Sequence, residues 1–304
     1  MTASAQQAPG RGTGPDLGRG FADLLRRWRG GGVASPPLVM GVVNVTPDSF
    51  SDGGLFLAAD AAIGQGQRLA GEGAQILDIG GESTRKDATP VSAEEELRRV
   101  VPVIEALKES GVLVSIDTMK PAVAEAAFKA GATIVNDIRG LQGDPGIARL
   151  AATYGAGVVV MHNPGLLGSA IPIDGDPVEA CLGYFERSIA IARSTGIPED
   201  RIVLDPGFGF GKSPEQNLAL LARFSELHRA GFPLLAGTSR KSFIGRVTGR
   251  EAPDRLIGTL ATNVVAALAG AALIRVHDVA EHVEAMTMVA AIRAAGHASS
   301  PEAE

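Results

Sequence analysis

A series of acids, amides and bases follows the short apolar runs of this chain, and together they could hold a flat, polar ligand that carries an anionic group. In chain order they are Asn44, then Asp78 with Glu82, Ser83, Thr84 and Arg85, then Asp117, Asn136 with Asp137, His162 with Asn163, and Asp205. Ser239, Arg240 and Lys241 follow, and Arg275 with His277 close the series. Asp117, Asn136 and Asp205 are acceptors, and a carboxylate can take two parallel N–H bonds from an amino-pyrimidinone edge. Lys241 can donate to the carbonyl of such a ring. Arg275 can lie flat on its π face or pair with phosphate oxygens. Asn44, Thr84, Arg275 and His277 suit an anionic group, with Mg²⁺ as a bridging cation that takes oxygen ligands. Taken singly, each residue has an ordinary explanation: Asp117 or Asn136 as a helix N-cap, Arg275 as a rim ion pair. Recurrence of the pattern after nearly every run is what points to one site.

The elements that must position these residues come next. Apolar runs at Leu38–Val43, Ala74–Ile79, Val112–Ile116, Thr133–Val135, Gly157–Met161, Arg201–Leu204, Phe232–Ala236 and Ala272–Val276 read as short buried strands. Helical patterns alternate with them over Ala58–Gly71, Ser92–Ser110, Lys120–Ala130, Pro145–Tyr154, Val178–Thr195, Pro214–Ala230, Ser242–Gly249, Pro253–Ala269 and Val279–Ala294. Ser92 and Glu95 have capping-box spacing. Continuously apolar strands alternating with helices predict an α/β fold with a parallel sheet covered on both faces. Eight such units fit a single (β/α)8 TIM barrel, whose site lies at the C-terminal strand ends. A doubly wound open sheet would instead place a glycine-rich phosphate turn after the first strand, where this chain has Asn44-Val45-Thr46-Pro47. The expected organisation is a flexible N-terminal extension over 1–34, the barrel over 35–295 and a flexible tail over 296–304. Phe21, Leu24, Leu25 and Trp28 have helical spacing, which predicts a short helix on the barrel.

Bulk properties exclude several classes. The chain has 304 residues, 45% hydrophobic and 20% charged, enough for one large core. A net charge of -6 argues against bulk attraction to nucleic acid or membrane. Cys181 is the lone cysteine, so there is no disulfide framework, which fits a cytoplasmic location. No apolar run is long enough to span a bilayer. Gly207 to Ser213 has the look of a phosphate loop, but Pro206 stands where its first glycine is required. The five histidines and Cys181 show no metal-ligand spacing, and His228, His282 and His297 read as helix-surface residues.

Asn44-Val45-Thr46-Pro47-Asp48-Ser49-Phe50-Ser51-Asp52-Gly53-Gly54 resembles the first signature of the dihydropteroate synthase family of pterin-binding barrels. Asp78-Ile79-Gly80-Gly81-Glu82-Ser83-Thr84-Arg85 resembles the second. The blocks at Ser115–Thr118, Asn136–Ile138, Met161–His162, Asp205–Lys212, Ser239–Gly245 and Arg275–Asp278 follow in the family's order. The resemblance runs from Leu38 to about Ala294. It implies a cytoplasmic transferase of folate biosynthesis and a sulfonamide target. The reaction joins 6-hydroxymethyl-7,8-dihydropterin diphosphate to p-aminobenzoate, with Mg²⁺ assisting an SN1-like departure of diphosphate. It further implies that Asp117, Asn136, Asp205, Lys241 and Arg275 bind the pterin, and that Asn44, Thr84, Arg275 and His277 face the diphosphate, Asn44 touching the metal. Phe50, Arg85 and Ser242 would take p-aminobenzoate, with Asp52 and Arg85 closing the site. Catalysis would rest on Asp52, Arg85, Asp117, Lys241 and Arg275. The partners implied are these small-molecule substrates and a second copy of the chain, with the alanine-rich helix Leu256–Ala271 suited to the contact.

The sequence departs from the family at Lys86-Asp87, where Pro-Gly is usual, so a flexible charged side chain replaces a rigid apolar wall. A non-catalytic pterin-binding paralogue is the reading that departure would favour. A pterin-dependent methyltransferase shares the barrel and the Asp/Asn clamp, but it has no need of the Phe50–Asp52 and Ser83–Arg85 loops or of Ser239-Arg240-Lys241-Ser242.

Overall fold

The computed structural model describes residues 15–45, 54–83, 89–167 and 173–298. Its elements are α1 (Arg19–Gly30), β1 (Leu38–Asn44), α2 (Gly54–Gly71), β2 (Ile76–Gly80), α3 (Ala93–Leu107), β3 (Leu113–Asp117), α4 (Pro121–Ala130) and β4 (Ile134–Asp137). They continue with α5 (Pro145–Tyr154), β5 (Gly157–Met161), α6 (Pro177–Thr195), β6 (Ile202–Asp205), α7 (Pro214–Ala222), β7 (Leu235–Ala236), α8 (Ser242–Thr248), α9 (Leu256–Leu268), β8 (Leu273–Val276) and α10 (Val279–Ala298). All ladders are parallel and run in the order β6-β5-β4-β3-β2-β1-β8-β7. A bridge from Leu204 to Leu234 brings β6 to β7 and completes the (β/α)8 TIM barrel.

Strand parity sorts the side chains. Val39, Leu77, Ile79, Val114, Ile116, Val158, Val160 and Ile274 pack outward in the cluster shared with the helices. Met40, Ile76, Ile134, Val159, Val203, Leu235 and Leu273 point inward and form a second apolar cluster with Phe21 and Leu25. The helix anticipated from Phe21, Leu24, Leu25 and Trp28 is therefore α1, and its apolar stripe closes the floor of the barrel. Gly157 on β5 admits it, since a Cβ there would come within 2.4 Å of the Phe21 ring.

Helix starts follow the local chemistry. Ser92 accepts the Glu95 N–H at 3.2 Å. The expected reciprocal half of that capping box is absent, because the Glu95 carboxylate turns to Arg98 and Arg99 instead. A full box forms at Ser213 and Gln216, which start α7. The helix expected over Pro214–Ala230 divides into α7 and a 3₁₀ turn at Phe224–Ala230. His282, expected on a helix surface, is fully buried, with Nδ1 at 2.5 Å from the Asp278 carbonyl.

Candidate active site

Above the apolar floor the inward positions turn polar. Two residues beyond Ile76 comes Asp78, beyond Ile134 comes Asn136, beyond Val203 comes Asp205 and beyond Leu273 comes Arg275. Parallel register sets Asp117 beside both Gly80 and Asn136, and Met161 beside Asp205. Gly80 and Gly237 add no side chains to this layer. The result is a small, partly open cavity whose walls include Asp117, Asn136, Asp205, Phe210, Lys241 and Arg275. All five residues expected to hold the flat ring are thus brought together.

Asp78 is the hub. Fully buried, it accepts Asn136 Nδ2 at 2.9 Å and Arg275 Nε at 2.6 Å. Arg275 Nη2 reaches on to Asp117 Oδ2 at 2.8 Å, so one guanidinium spans two carboxylates from β2 and β3. This geometry fixes the guanidinium plane and occupies one Asp117 oxygen. Among the described residues Asp78 Oδ1 and Asn136 Oδ1 are buried without a hydrogen-bond partner, and buried acceptors left so are open to a donor from a ligand. Sequence reading grouped Asp78 with the polar residues after β2 and gave it no role in holding the ring. Its signal was its parity with Ile76, which puts it inside the barrel.

Burial controls the charges. Desolvation pushes the Asp117 carboxyl up to about 7, against the pull of Arg275. Burial raises Asp205 as well, although its Oδ1 accepts the Gly207 N–H at 2.7 Å. Lys241 is pushed down to about 8 by burial and by Arg275, and its ammonium lies over the Phe210 ring, 4.1 Å from the centroid. His277 falls to about 4 through burial and the nearby Arg275, so at neutral pH it is an uncharged imidazole. Its Nδ1 lies 2.9 Å from Ser239 Oγ.

The other expected residues do not line the cavity or lie outside the described residues. Asn44 is exposed at the end of β1, and Ser242 is exposed in the first turn of α8. Phe50, Asp52, Thr84 and Arg85 lie outside the described residues, as do Lys86 and Asp87. Asp137 serves its own loop by accepting the N–H groups of Arg139 and Leu141. His162 is buried against Tyr184 and Cys181. The Gly207–Lys212 turn folds on itself: Lys212 Nζ donates to the carbonyls of Gly207 and Phe210 at 2.8 and 3.1 Å. Gly207 is required there, since φ is +64° and a Cβ would lie 2.2 Å from the His162 carbonyl oxygen.

A second buried cluster lies beside this site. Lys120, in the loop after β3, donates to Glu82 at 2.7 Å and to the buried Glu96 of α3 at 2.5 Å. Glu82 also accepts the Val91 N–H at 3.0 Å, and Arg99 donates to the Gly81 carbonyl at 2.8 Å.

Comparison with known proteins gives one answer. The family described as pterin binding enzyme matches residues 40–277. Dihydropteroate synthase of Escherichia coli K12 is 48% identical over 261 residues, which cover 84% of this chain and 92% of that protein. The structure of Xanthomonas albilineans dihydropteroate synthase with 4-aminobenzoic acid superposes with a TM-score of 0.80 at 48% identity, covering 86% of this chain and 94% of that one. The same enzyme in complex with 7,8-dihydropteroate gives 0.77 at 46% identity, covering 86% and 95%. The match spans the barrel and every strand that lines the cavity, and the chain belongs to the pterin-binding enzyme family, within its dihydropteroate synthase branch.

Proposed function

We propose that this chain is the transferase that condenses 6-hydroxymethyl-7,8-dihydropterin diphosphate with p-aminobenzoate, giving 7,8-dihydropteroate and diphosphate. The observation that carries this reading is the convergence of Asp117, Asn136, Asp205, Lys241 and Arg275 on one cavity in a chain of this family. An amino-pyrimidinone ring supplies the N–H donors that the buried acceptors lack, Asn136 Oδ1 among them, and Lys241 donates to the ring carbonyl. Arg275, its plane fixed by Asp78 and Asp117, covers the ring face.

Chemistry follows at the exocyclic carbon. Its C–O bond to diphosphate breaks with the electron pair leaving on oxygen, in an SN1-like step, and positive charge spreads into the dihydropterin. Asp117 and Asp205 lie where that charge develops, and in a dry cavity their ionised forms stabilise it more than water would. The aniline nitrogen then forms the C–N bond and gives up a proton, which the released diphosphate can accept. Asn44, Thr84, Arg275 and His277 face the diphosphate, His277 as a neutral N–H donor. Phe50, Asp52, Arg85 and Ser242 complete the second-substrate side and keep out water that would otherwise capture the cation.

Mg²⁺ fits as an ion that arrives with the diphosphate. Among the described residues no group of three or more His, Cys, Asp or Glu side chains could hold a metal. Mg²⁺ commonly takes one or two protein oxygens together with substrate phosphates and water. The exposed Asn44 amide would supply one such oxygen, and Mg²⁺ held there would offset charge on the leaving group.

The active form is a homodimer in the cytoplasm. Ile257, Val265 and Leu268 of α9 and Met288 and Ile292 of α10 are exposed on two helices that pack together, which supports pairing of two copies. No described helix is long and apolar enough to cross a membrane. The test of the activity is diphosphate release by purified protein with Mg²⁺ and dihydropterin diphosphate, with and without p-aminobenzoate, while dihydropteroate is followed. Coupled formation of both products is expected. Pterin binding without release of diphosphate would overturn the reading.

A further inference from the structure

The wall of the barrel is thinnest where Lys241 leaves it. β7 has two residues, and the β6–β7 seam is a single bridge. Pro233 at that seam offers its carbonyl to Leu204 N at 2.9 Å but has no N–H of its own. Regular sheet pairing therefore does little to hold the turn after β7.

Two cross-links to the turn after β8 do that instead. Ser239 Oγ accepts the His277 backbone N–H at 3.2 Å and meets its Nδ1 at 2.9 Å. Arg240 grips Asp278 with both arms of its guanidinium, Nη2 to Oδ1 at 2.5 Å and Nε to Oδ2 at 3.2 Å. The backbone of Arg240 is held as well: its N–H donates to Thr259 Oγ1 at 3.1 Å, and its carbonyl accepts Arg255 Nη1 at 3.0 Å. Arg240 sits at φ +57°, a left-handed conformation disfavoured for any residue with a Cβ. Glycine would fit that turn without strain, so the arginine is there for its side chain.

We infer that the Arg240–Asp278 ion pair is a positioning device for Lys241, locking the left-handed turn that sends the ammonium across the pterin cavity. The inference rests on the reading that Lys241 donates to the pterin. Among the described residues, the charged groups facing Lys241 are Arg275 from β8, Asp205 from β6, Asp117 from β3 and Lys212 from the turn after β6. None of these is altered in the test.

The test follows the Lys241 titration by NMR with ¹³C-labelled lysine, assigned with Lys241→Arg, in Arg240→Ala, which keeps the Cβ at the left-handed position, Asp278→Asn and Arg240→Lys. A purely electrostatic effect moves the first two in opposite directions, since one removes a positive charge and the other a negative one. Positioning moves both the same way: released into water, Lys241 titrates upward from about 8 toward the ordinary lysine range. KM for dihydropterin diphosphate should rise about tenfold in both. Arg240→Lys keeps one N–H bond to Asp278 and should fall in between. Opposite shifts in the first pair, or an unmoved titration in folded Arg240→Ala, would overturn the inference. Because the titration needs no turnover, the expected shifts in a protein that forms no dihydropteroate would leave the positioning role standing and defeat the proposed activity.

Discussion

Asp117 and Lys241 face one cavity with their ionisations moved toward each other. Burial raises the acid to about 7 and lowers the base to about 8. On the proposed function, pterin recognition needs Asp117 ionised, as an acceptor, and Lys241 protonated, as a donor. The ionised fraction of Asp117 grows as pH rises through about 7, and the protonated fraction of Lys241 falls as pH passes about 8. The free-enzyme profile of kcat/KM for dihydropterin diphosphate should therefore be a narrow bell with its maximum between these values, its limbs belonging to the coupled pair. Lys241→Arg keeps a charge that does not titrate in this range. It should remove the alkaline limb and leave the acid limb in place, at some cost in affinity because the fork cannot reproduce a single ammonium donor. A pH–rate series from 5.5 to about 9.5 reads both limbs, and an alkaline limb that persists in Lys241→Arg would show that another group sets it.

Between elements, the Lys120 cluster ties the turn after β3 to both sides of the turn after β2. Glu96 is 1% exposed, so Lys120→Met leaves a buried carboxylate without its cation. The expected loss is about 3 kcal/mol in urea denaturation, the scale for breaking a buried pair from one side. Adding Glu96→Gln should recover much of that loss, because it removes the charge whose desolvation is the penalty; additive losses would refute the account. Glu82 was legible in sequence only as part of a polar block, and nothing along the chain linked it to Lys120. The eight strands were legible because short β-branched runs alternate with helical patterns, and five of the cavity residues followed from reading the polar residue at or near each strand end. What escaped was parity. Runs read as continuously apolar contain inward positions, and Asp78 and Ser115 occupy two of them. A residue's layer inside a barrel depends on register with neighbouring strands, which one strand's sequence does not carry. His282 was misplaced for a similar reason: α10 is apolar on more than one side, so helical spacing alone did not identify its inner face.

Across the whole molecule, the two ends of the barrel serve different purposes. The floor is apolar and sealed by α1, where Phe21 is fully buried beneath the inward layer of strand residues. Phe21→Ala should cost about 3–5 kcal/mol in denaturant unfolding, through lost burial and the cavity left behind. It should leave both substrate KM values unchanged, because the apolar layer of Met40, Ile76 and Val159 stands between it and the polar mouth. The outer surface carries a different apolar feature. Ile257 is 76% exposed on α9 and Ile292 is 62% exposed on α10, and large aliphatic side chains this open on packed neighbouring helices are costly to leave in water. In a dimer formed through α9 and α10, each copy covers the other's patch, and the interface is the same surface twice. Val265→Glu with Leu268→Glu sets like charges against their own symmetry mates, which should give a monomer in sedimentation velocity at micromolar concentration. Both residues are half-exposed, so the variant's fold and far-ultraviolet circular dichroism should be retained. A wild-type chain that sediments as a monomer, or a variant that still sediments as a dimer, would place the contact elsewhere or remove it.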